Sequence, residues 1–116
     1  MKLFVDTHRK PEHVYSDPKN WTVAKNSLEF RTIVHESLAN NEIPLVISFD
    51  YDLENESEGL NCLQDFVNTA IKLRLSLPKI YLHCNDRRLA IDFENALNQY
   101  TKKTSVPYTF EYTKRD

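Results

Sequence analysis

The chain has 116 residues, and its 15 Lys and Arg against 17 Asp and Glu give a formal net charge of −2. This length suits a single domain over residues 1–116, and an apolar fraction of 41% can supply its hydrophobic core. Gly59 is the only glycine, which excludes the glycine-rich phosphate loops of the Walker A and GxGxxG types. The small net charge argues against strong binding to double-stranded nucleic acid.

The sequence shows no pattern of export or membrane insertion. Its apolar runs fall well short of the roughly 20 residues that span a bilayer, and the acidic Asp6 follows only three apolar residues near the N-terminus. Cys62 and Cys84 lack CxxC spacing, which suits a reducing compartment. We therefore expect a cytoplasmic protein with no membrane partner, and the sequence does not indicate an oligomeric state.

The first third of the chain predicts two strands and a helix. Residues 3–5 form a short apolar run typical of a buried strand, the prolines within residues 7–20 predict a loop, and residues 21–24 predict a second strand. Asn26 and Glu29 have the spacing of a helix N-cap and its capping box. The helix that follows has apolar residues at helical spacing, namely Phe30, Ile33, Val34 and Leu38.

The rest of the chain predicts three strands that alternate with two helices. Residues 45–49 are apolar apart from one serine, residues 79–82 form a fourth strand that ends at His83, and residues 108–112 form an edge strand. An acidic loop over residues 50–58 precedes the second helix. The predicted buried faces of the two helices contain Leu60, Leu63, Phe66, Val67, Ala70 and Ile71, then Leu89, Phe93, Ala96, Leu97 and Tyr100.

The order β-β-α-β-α-β-α-β predicts an α/β domain, with a mostly parallel five-stranded sheet and three main helices. The strand at residues 45–49, apolar on both faces, predicts helices on both sides of the sheet. Ligands of such sheets bind outside the carboxyl ends of the strands, where the strand order reverses. Asp6, Asp50 and His83 each lie at a predicted strand end, so the sequence predicts a site there.

Three carboxylates, those of Asp6, Asp50 and Asp52, come together if these strand ends are adjacent. Clustered carboxylates suit a hard divalent cation, most simply Mg²⁺. The alternative is that Asp52 caps a turn and Asp6 is only a polar strand terminus.

The other polar residues near the strand ends each have two interpretations. His83 suits a general acid or base, or a donor to a phosphate oxygen; the alternative is a half-buried histidine bonded to the backbone. Arg9 suits a phosphate or an exposed surface position. Asn85 suits a ligand contact or an ordinary turn.

Four segments, in order, resemble motifs of the cyclic-phosphate-processing receiver-like domains, a divergent branch of the receiver fold of two-component signalling. Residues 3–11 (LFVDTHRKP) resemble the LFLDDxRxP opening, and residues 47–53 (ISFDYDL) resemble the ISFDHDL segment. Gly59 with its helix, and residues 83–85 (HCN), resemble the glycine-led helix and the HSxN segment. The similarity extends to about Tyr100. It implies a receiver- or flavodoxin-like fold and action on cyclic or terminal nucleotide phosphates, often in phage or bacterial conflict.

The resemblance also implies roles for particular residues. His83, Asp50 and Asp52 are the expected catalytic residues, Arg9 and Asn85 the expected substrate contacts, and Asp6 with Asp50 the expected ligands of a divalent cation, most simply Mg²⁺. The expected partner is a cyclic or phosphorylated nucleotide or an RNA end, and the expected reaction is metal-assisted hydrolysis of the phosphate.

The chain departs from the family pattern at four positions, where Thr7 replaces an acid, Tyr51 a histidine, Cys84 a serine and Glu54 a glycine. A second function therefore stays open, a non-catalytic module that sequesters a cyclic nucleotide or acts as a divergent response-regulator receiver with Asp50 as phosphoacceptor. Ordinary receivers have Thr or Ser after the fourth strand and Lys after the fifth. The pairs His83-Cys84 and Thr113-Lys114 stand at these positions, which argues against phosphoacceptor switching.

Overall fold

The structure is a computed structural model that describes residues 1–115. It contains one five-stranded sheet, in which every neighbouring pair is parallel and the strand order is β2-β1-β3-β4-β5. This arrangement confirms the predicted α/β fold with three main helices. The strands are β1 (Lys2–Val5), β2 (Trp21–Ala24), β3 (Val46–Phe49), β4 (Lys79–Cys84) and β5 (Phe110–Lys114), and the helices are α1 (Ser27–Ala39), α2 (Glu58–Leu73) and α3 (Ala90–Thr104).

All three helices pack on one face of the sheet. The connections β2-α1-β3, β3-α2-β4 and β4-α3-β5 all step across the sheet in the same direction, so right-handed crossovers put their helices on the same side. Alternate sheet residues face these helices in one buried cluster: Leu3, Val5, Ile47, Phe49, Ile80 and Leu82.

The connection from β1 to β2 steps in the opposite direction and therefore lies on the other face. In residues 7–20 its only regular element is a single 3-10 turn, Pro11–His13. The prediction of helices on both sides of β3 is therefore wrong for residues 1–115. The ring of Tyr15, from this loop, lies over the second face beside Phe4 and Tyr81.

The start of α1 follows the predicted capping pattern with one change. The side chain of Asn26 accepts a hydrogen bond from the backbone N–H of Glu29 at 2.8 Å, as predicted. The carboxylate of Glu29 accepts from the N–H of Lys25 at 3.0 Å instead of that of Asn26. Both bonds satisfy donors near the end of the helix, where no intrahelical acceptor exists.

Two strand boundaries differ from the prediction. Strand β4 continues through His83 to Cys84, because both pair with β5. Strand β5 begins at Phe110, two residues later than predicted, and ends at Lys114. Within residues 1–115, no helix combines the length and the apolar character that a bilayer crossing requires.

Candidate functional site

The turn after β1 is organised by the carboxylate of Asp6, whose side chain is fully buried. Its Oδ1 accepts the backbone N–H groups of His8, at 2.8 Å, and Arg9, at 2.9 Å. These two bonds fold the chain back, so the Arg9 side chain returns over the strand end. There, Nη1 of Arg9 lies 3.3 Å from Oδ2 of Asp6. The backbone hydrogen bonds to Asp6 thus place the guanidinium of Arg9 next to the Asp6 carboxylate.

The same nitrogen of Arg9 reaches the neighbouring strand end. Its Nη1 lies 3.1 Å from Oδ2 of Asp50, which follows β3. The other oxygen of Asp50 accepts the backbone N–H of Tyr51 at 2.8 Å. The ends of β1 and β3 are adjacent, which is the condition under which the sequence predicted that their carboxylates come together, and one guanidinium nitrogen lies between them.

Behind Asp6 lies a chain of buried hydrogen bonds that extends to the second face of the sheet. Nε2 of His83 is 2.9 Å from Oδ2 of Asp6, and Nδ1 is 2.7 Å from Oγ of Ser48. The Ser48 hydroxyl is in turn 2.6 Å from the hydroxyl of Tyr15. The His83 ring also stacks on Phe4 with 4.5 Å between centroids. His83 is fully buried, and both of its ring nitrogens have partners within the protein.

The charge states of Asp6 and His83 determine which atom donates in each of these hydrogen bonds. Burial lowers the pKa of His83 and outweighs the hydrogen bond to Asp6, so the imidazole is neutral. Burial alone would raise the pKa of Asp6, but the bonds from His83 and from the backbone of Arg9 and His8 lower it. An ionised Asp6 can only accept. His83 Nε2 therefore donates to Asp6, Ser48 donates to Nδ1, and Tyr15 donates to Ser48.

The pKa of Asp50 is shifted in the opposite direction to the pKa of Asp6. Burial raises the pKa of Asp50 to about 7, and repulsion from Asp6 adds to this effect, while the positive charge of Arg9 reduces it. The two carboxyl groups share one guanidinium, yet only Asp6 has hydrogen bonds strong enough to keep it fully ionised. Asp50 therefore changes charge near neutral pH, which suits a group that transfers a proton.

Gly59, the single glycine, holds the Asp50 segment close to α2. Its backbone N–H donates to the carbonyl of Tyr51 at 2.8 Å. A Cβ on Gly59 would overlap the backbone carbonyl oxygen of Asp50 and would lie 2.8 Å from that of Tyr51. The glycine is therefore required by close approach of two backbones rather than by an unusual φ angle.

A pocket of about 380 Å³ lies outside these strand ends, and we call it the strand-end pocket. Arg9, Asp50, Asp52 and Asn85 all line it. Asp52 is exposed, and its Oδ1 accepts the backbone N–H of Ser57 at 2.7 Å, so it also caps the turn before α2. Asn85 is exposed on the pocket wall. The structure thus gathers four of the six predicted site residues around one cavity.

The other two predicted residues, Asp6 and His83, form the layer behind the pocket. Sequence reasoning missed Ser48 and Tyr15, which extend this layer. Ser48 carried a signal, because it is the one polar residue in the otherwise apolar run 45–49. Tyr15 lies in a proline-containing loop and carried none. Another contact that the sequence did not predict is that Nη2 of Arg9 donates to the carbonyl of Arg115 at 3.3 Å.

A larger pocket of about 540 Å³ lies between the start of α3 and β5. Its basic residues, Arg87 and Arg88, are solvent-exposed. Arg88 is paired with Asp86 at 2.9 Å, an exposed contact of little energetic weight. Because this pocket lacks the buried carboxyl groups and the guanidinium of the strand ends, we assign the chemistry to the smaller one.

The contacts of Asp6 and Asp50 do not fit the Mg²⁺ ion expected from the sequence. Both oxygens of Asp6 already accept two bonds each, from His8, Arg9 and His83. Mg²⁺ requires near-octahedral oxygen ligands, and the guanidinium of Arg9 lies between the two carboxylates. Within residues 1–115, no three His, Cys, Asp or Glu side chains are grouped so that they could hold a metal ion.

The comparison with protein families agrees with this architecture. The profile of the cyclic-phosphate processing receiver domain matches residues 1–99. The chain belongs to this family. The resemblance carried by the four sequence motifs is therefore confirmed. The strand order reverses between β1 and β3, and the strand-end pocket lies at this position. Comparison with curated proteins gave no significant match.

Proposed function

We propose that this receiver domain hydrolyses a cyclic phosphate on a nucleotide or an RNA end, opening the ring to a phosphomonoester. The observation that carries the proposal is the contact between Asp50 and Arg9 on the wall of the strand-end pocket, 3.1 Å between Oδ2 and Nη1. This contact puts a carboxyl group and a positive charge side by side in a cavity open to a ligand. Membership of the cyclic-phosphate processing receiver family supports a cyclic phosphate as the substrate.

The proposed reaction needs one proton to move between two oxygens. Asp50 takes a proton from water as the water oxygen bonds to phosphorus, and the ring P–O bond breaks. The departing alkoxide receives the proton that Asp50 took, so water is consumed and no other reactant is needed. A carboxyl group with a pKa of about 7 can perform both steps at neutral pH, since it holds and releases a proton there with equal ease.

Arg9 contributes its positive charge to the phosphate oxygens, on which charge develops as water attacks. Asn85 and Asp52 line the same pocket and suit polar groups of the sugar or the base. His83 keeps Asp6 ionised and in place, and Asp6 in turn fixes Arg9. In this proposal His83 acts as a positioning residue. The proposed reaction does not use the metal ion that was expected from the sequence.

Binding without turnover is the second candidate, and one observation favours it. His83 has no exposed surface and Asp52 caps the turn before α2, so of the three expected catalytic residues Asp50 is the one whose carboxyl group lies beside Arg9 at the pocket. A site with a single proton-transfer group can bind a cyclic nucleotide without cleaving it. Phosphorylation of Asp50, as in ordinary receivers, would use the carboxylate that pairs with Arg9.

The test combines binding and product formation. Wild-type protein is incubated with 2′,3′-cyclic and 3′,5′-cyclic mononucleotides, cyclic dinucleotides and terminally phosphorylated nucleotides. Thermal shift reports binding, and ³¹P NMR reports ring opening. We expect a new phosphomonoester signal with at least one cyclic substrate, reduced by about 10²-fold or more in Asp50→Asn. A thermal shift with no product from any substrate would assign the chain to binding.

Matched controls separate the site from general effects on the fold. Asp65→Asn changes an exposed carboxylate on α2 and should retain full turnover. Incubation with acetyl phosphate and Mg²⁺ tests the receiver alternative, because a phosphorylated Asp50 gives a covalent adduct that Asp50→Asn cannot form. An adduct in the wild type together with no hydrolysis would replace the proposed function with phosphoacceptor signalling.

A further inference from the structure

The guanidinium of Arg9 occupies the position between the carboxylates of Asp6 and Asp50. Nη1 of Arg9 is 3.3 Å from Oδ2 of Asp6 and 3.1 Å from Oδ2 of Asp50. Its side chain is only 18% exposed, so this is a largely buried, charge-assisted contact rather than a surface ion pair. A divalent ion bridging the same two carboxylates would have to displace the guanidinium.

While Arg9 is in place, the neighbouring residues do not offer another ligand set for a divalent ion. Asp6 accepts two bonds at each oxygen. Thr7, at the position where the family pattern has a second acid, donates its hydroxyl to the carbonyl of Lys25 at 2.7 Å. Asp52 accepts from the backbone of Ser57. The loss of an acid at position 7 removes a carboxylate, which in turn favours a monovalent guanidinium over a divalent ion as the balancing charge.

We propose that Arg9 replaces the divalent cation in this chain, so that the strand-end pocket recognises its phosphate without a metal ion. The part of this inference that concerns the phosphate rests on the proposed function. The part that concerns the cation depends only on the contacts of Asp6, Arg9 and Asp50. A planar guanidinium suits both tasks, because it pairs with carboxylates and with phosphate through several N–H groups.

The inference predicts what happens when the guanidinium is removed. In Arg9→Met, two carboxylates would lie close together with no positive charge between them, which is unfavourable unless a cation binds or one group is protonated. Removing Arg9 also removes a charge that lowers the pKa of Asp50, so the measurement is made at pH 8, where the alkaline solution disfavours protonation and favours cation binding. Removing an arginine should therefore create affinity for a divalent metal.

The experiment titrates Mn²⁺, a paramagnetic substitute for Mg²⁺, at pH 8 and follows the free ion by electron paramagnetic resonance. We expect no saturable binding to the wild type, and binding to Arg9→Met that is at least about tenfold tighter, equivalent to about 1.4 kcal/mol. Arg9→Met/Asp50→Asn should lose this gain. Arg31→Met removes an exposed arginine of α1 and is the matched control.

Two outcomes would overturn the inference. One is saturable Mn²⁺ binding to the wild type that disappears in Asp50→Asn. The other is a folded Arg9→Met that gains no affinity for Mn²⁺. Circular dichroism establishes folding, and Arg9→Gln, which retains amide donors, is used if Arg9→Met does not fold. Because no arm of this titration uses a nucleotide, its outcome stays separate from that of the hydrolysis assay. Nucleotide binding in EDTA and in Mg²⁺ should then agree within about twofold.

Discussion

The hydroxyl of Ser48 lies 2.7 Å from Nδ1 of His83 and forms the middle of a hydrogen-bonded chain from Tyr15 to Asp6. Ser48 is on β3 and His83 is on β4, and both are fully buried. The strand ends therefore have two layers, an inner layer of neutral donors and an outer layer with Arg9 and Asp50. The inner layer fixes Asp6, and Asp6 fixes Arg9.

Ser48→Ala should destabilise the fold by about 1–3 kcal/mol. The change leaves Nδ1 of His83 buried without its donor and removes the acceptor of the Tyr15 hydroxyl. Urea denaturation measures the free energy of unfolding. Ser76→Ala, at an exposed loop position, should stay within about 0.5 kcal/mol of the wild type. Equal stability of the two variants would show that the inner chain contributes nothing.

Gly59→Ala should destabilise the fold by about 1–3 kcal/mol or more, because the new Cβ would overlap the carbonyl of Asp50. The backbone of Asp50 must then move, so binding of a cyclic nucleotide should weaken as well. Denaturation and thermal shift measure the two effects. Asn61→Ala adds no atom on an exposed position of the same helix, and it should change neither. A stable Gly59→Ala with unchanged binding would contradict the close approach.

The stability of Asp50→Asn relative to the wild type should rise with pH between about 4 and 7. The folded protein holds the Asp50 proton up to a pKa of about 7, while the unfolded chain releases it near 3.8. Within this range the folded state binds more protons, so Asp50 makes the wild type less stable as pH rises. Asn does not titrate. The difference should grow by on the order of 2–4 kcal/mol, since one pKa unit equals about 1.4 kcal/mol.

The contribution of His83 to stability changes with pH in the opposite direction to that of Asp50 over part of the same pH range. Burial lowers its pKa below the ordinary 6.5, so the unfolded state binds more protons as pH falls through 6.5 and the folded protein loses stability. In the wild type the two contributions partly cancel. The free energy of unfolding, measured at several pH values, should therefore vary less with pH for the wild type than for Asp50→Asn. The stability of Asp50→Asn falls more steeply below pH 6.5. Parallel curves for the two proteins would contradict the raised pKa of Asp50.

The pH–rate profile should distinguish the two candidate proton-transfer residues. If Asp50 transfers the proton, kcat/KM has a limb near pH 7 that disappears in Asp50→Asn and persists in His83→Gln, although His83→Gln lowers the rate by disturbing Asp6. The sequence-based prediction, with His83 as general acid or base, requires the limb to disappear in His83→Gln. If the chain only binds its nucleotide, the same limb is measured in the pH dependence of affinity.

Local sequence patterns determined most of the fold. The apolar run at 45–49, the helical spacing from Phe30 to Leu38 and the cap at Asn26 each specify an element through burial and backbone hydrogen bonding, which depend on neighbours in the chain. The alternation of strands and helices then indicated a parallel sheet with Asp6 and Asp50 at strand ends, which would be close together if those ends were adjacent. These residues are indeed neighbours in the structure.

Only the tertiary structure decided how the site residues divide their tasks. A strand buried on both faces does not reveal which side each residue faces, so the sequence could not show that His83 points behind Asp6, away from the strand-end pocket. The partners Ser48 and Tyr15 are 33 residues apart and meet because the β1–β2 connection crosses the second face. The position of Arg9 between two carboxylates likewise depends on the distance between β1 and β3, which sheet pairing sets and no local pattern records.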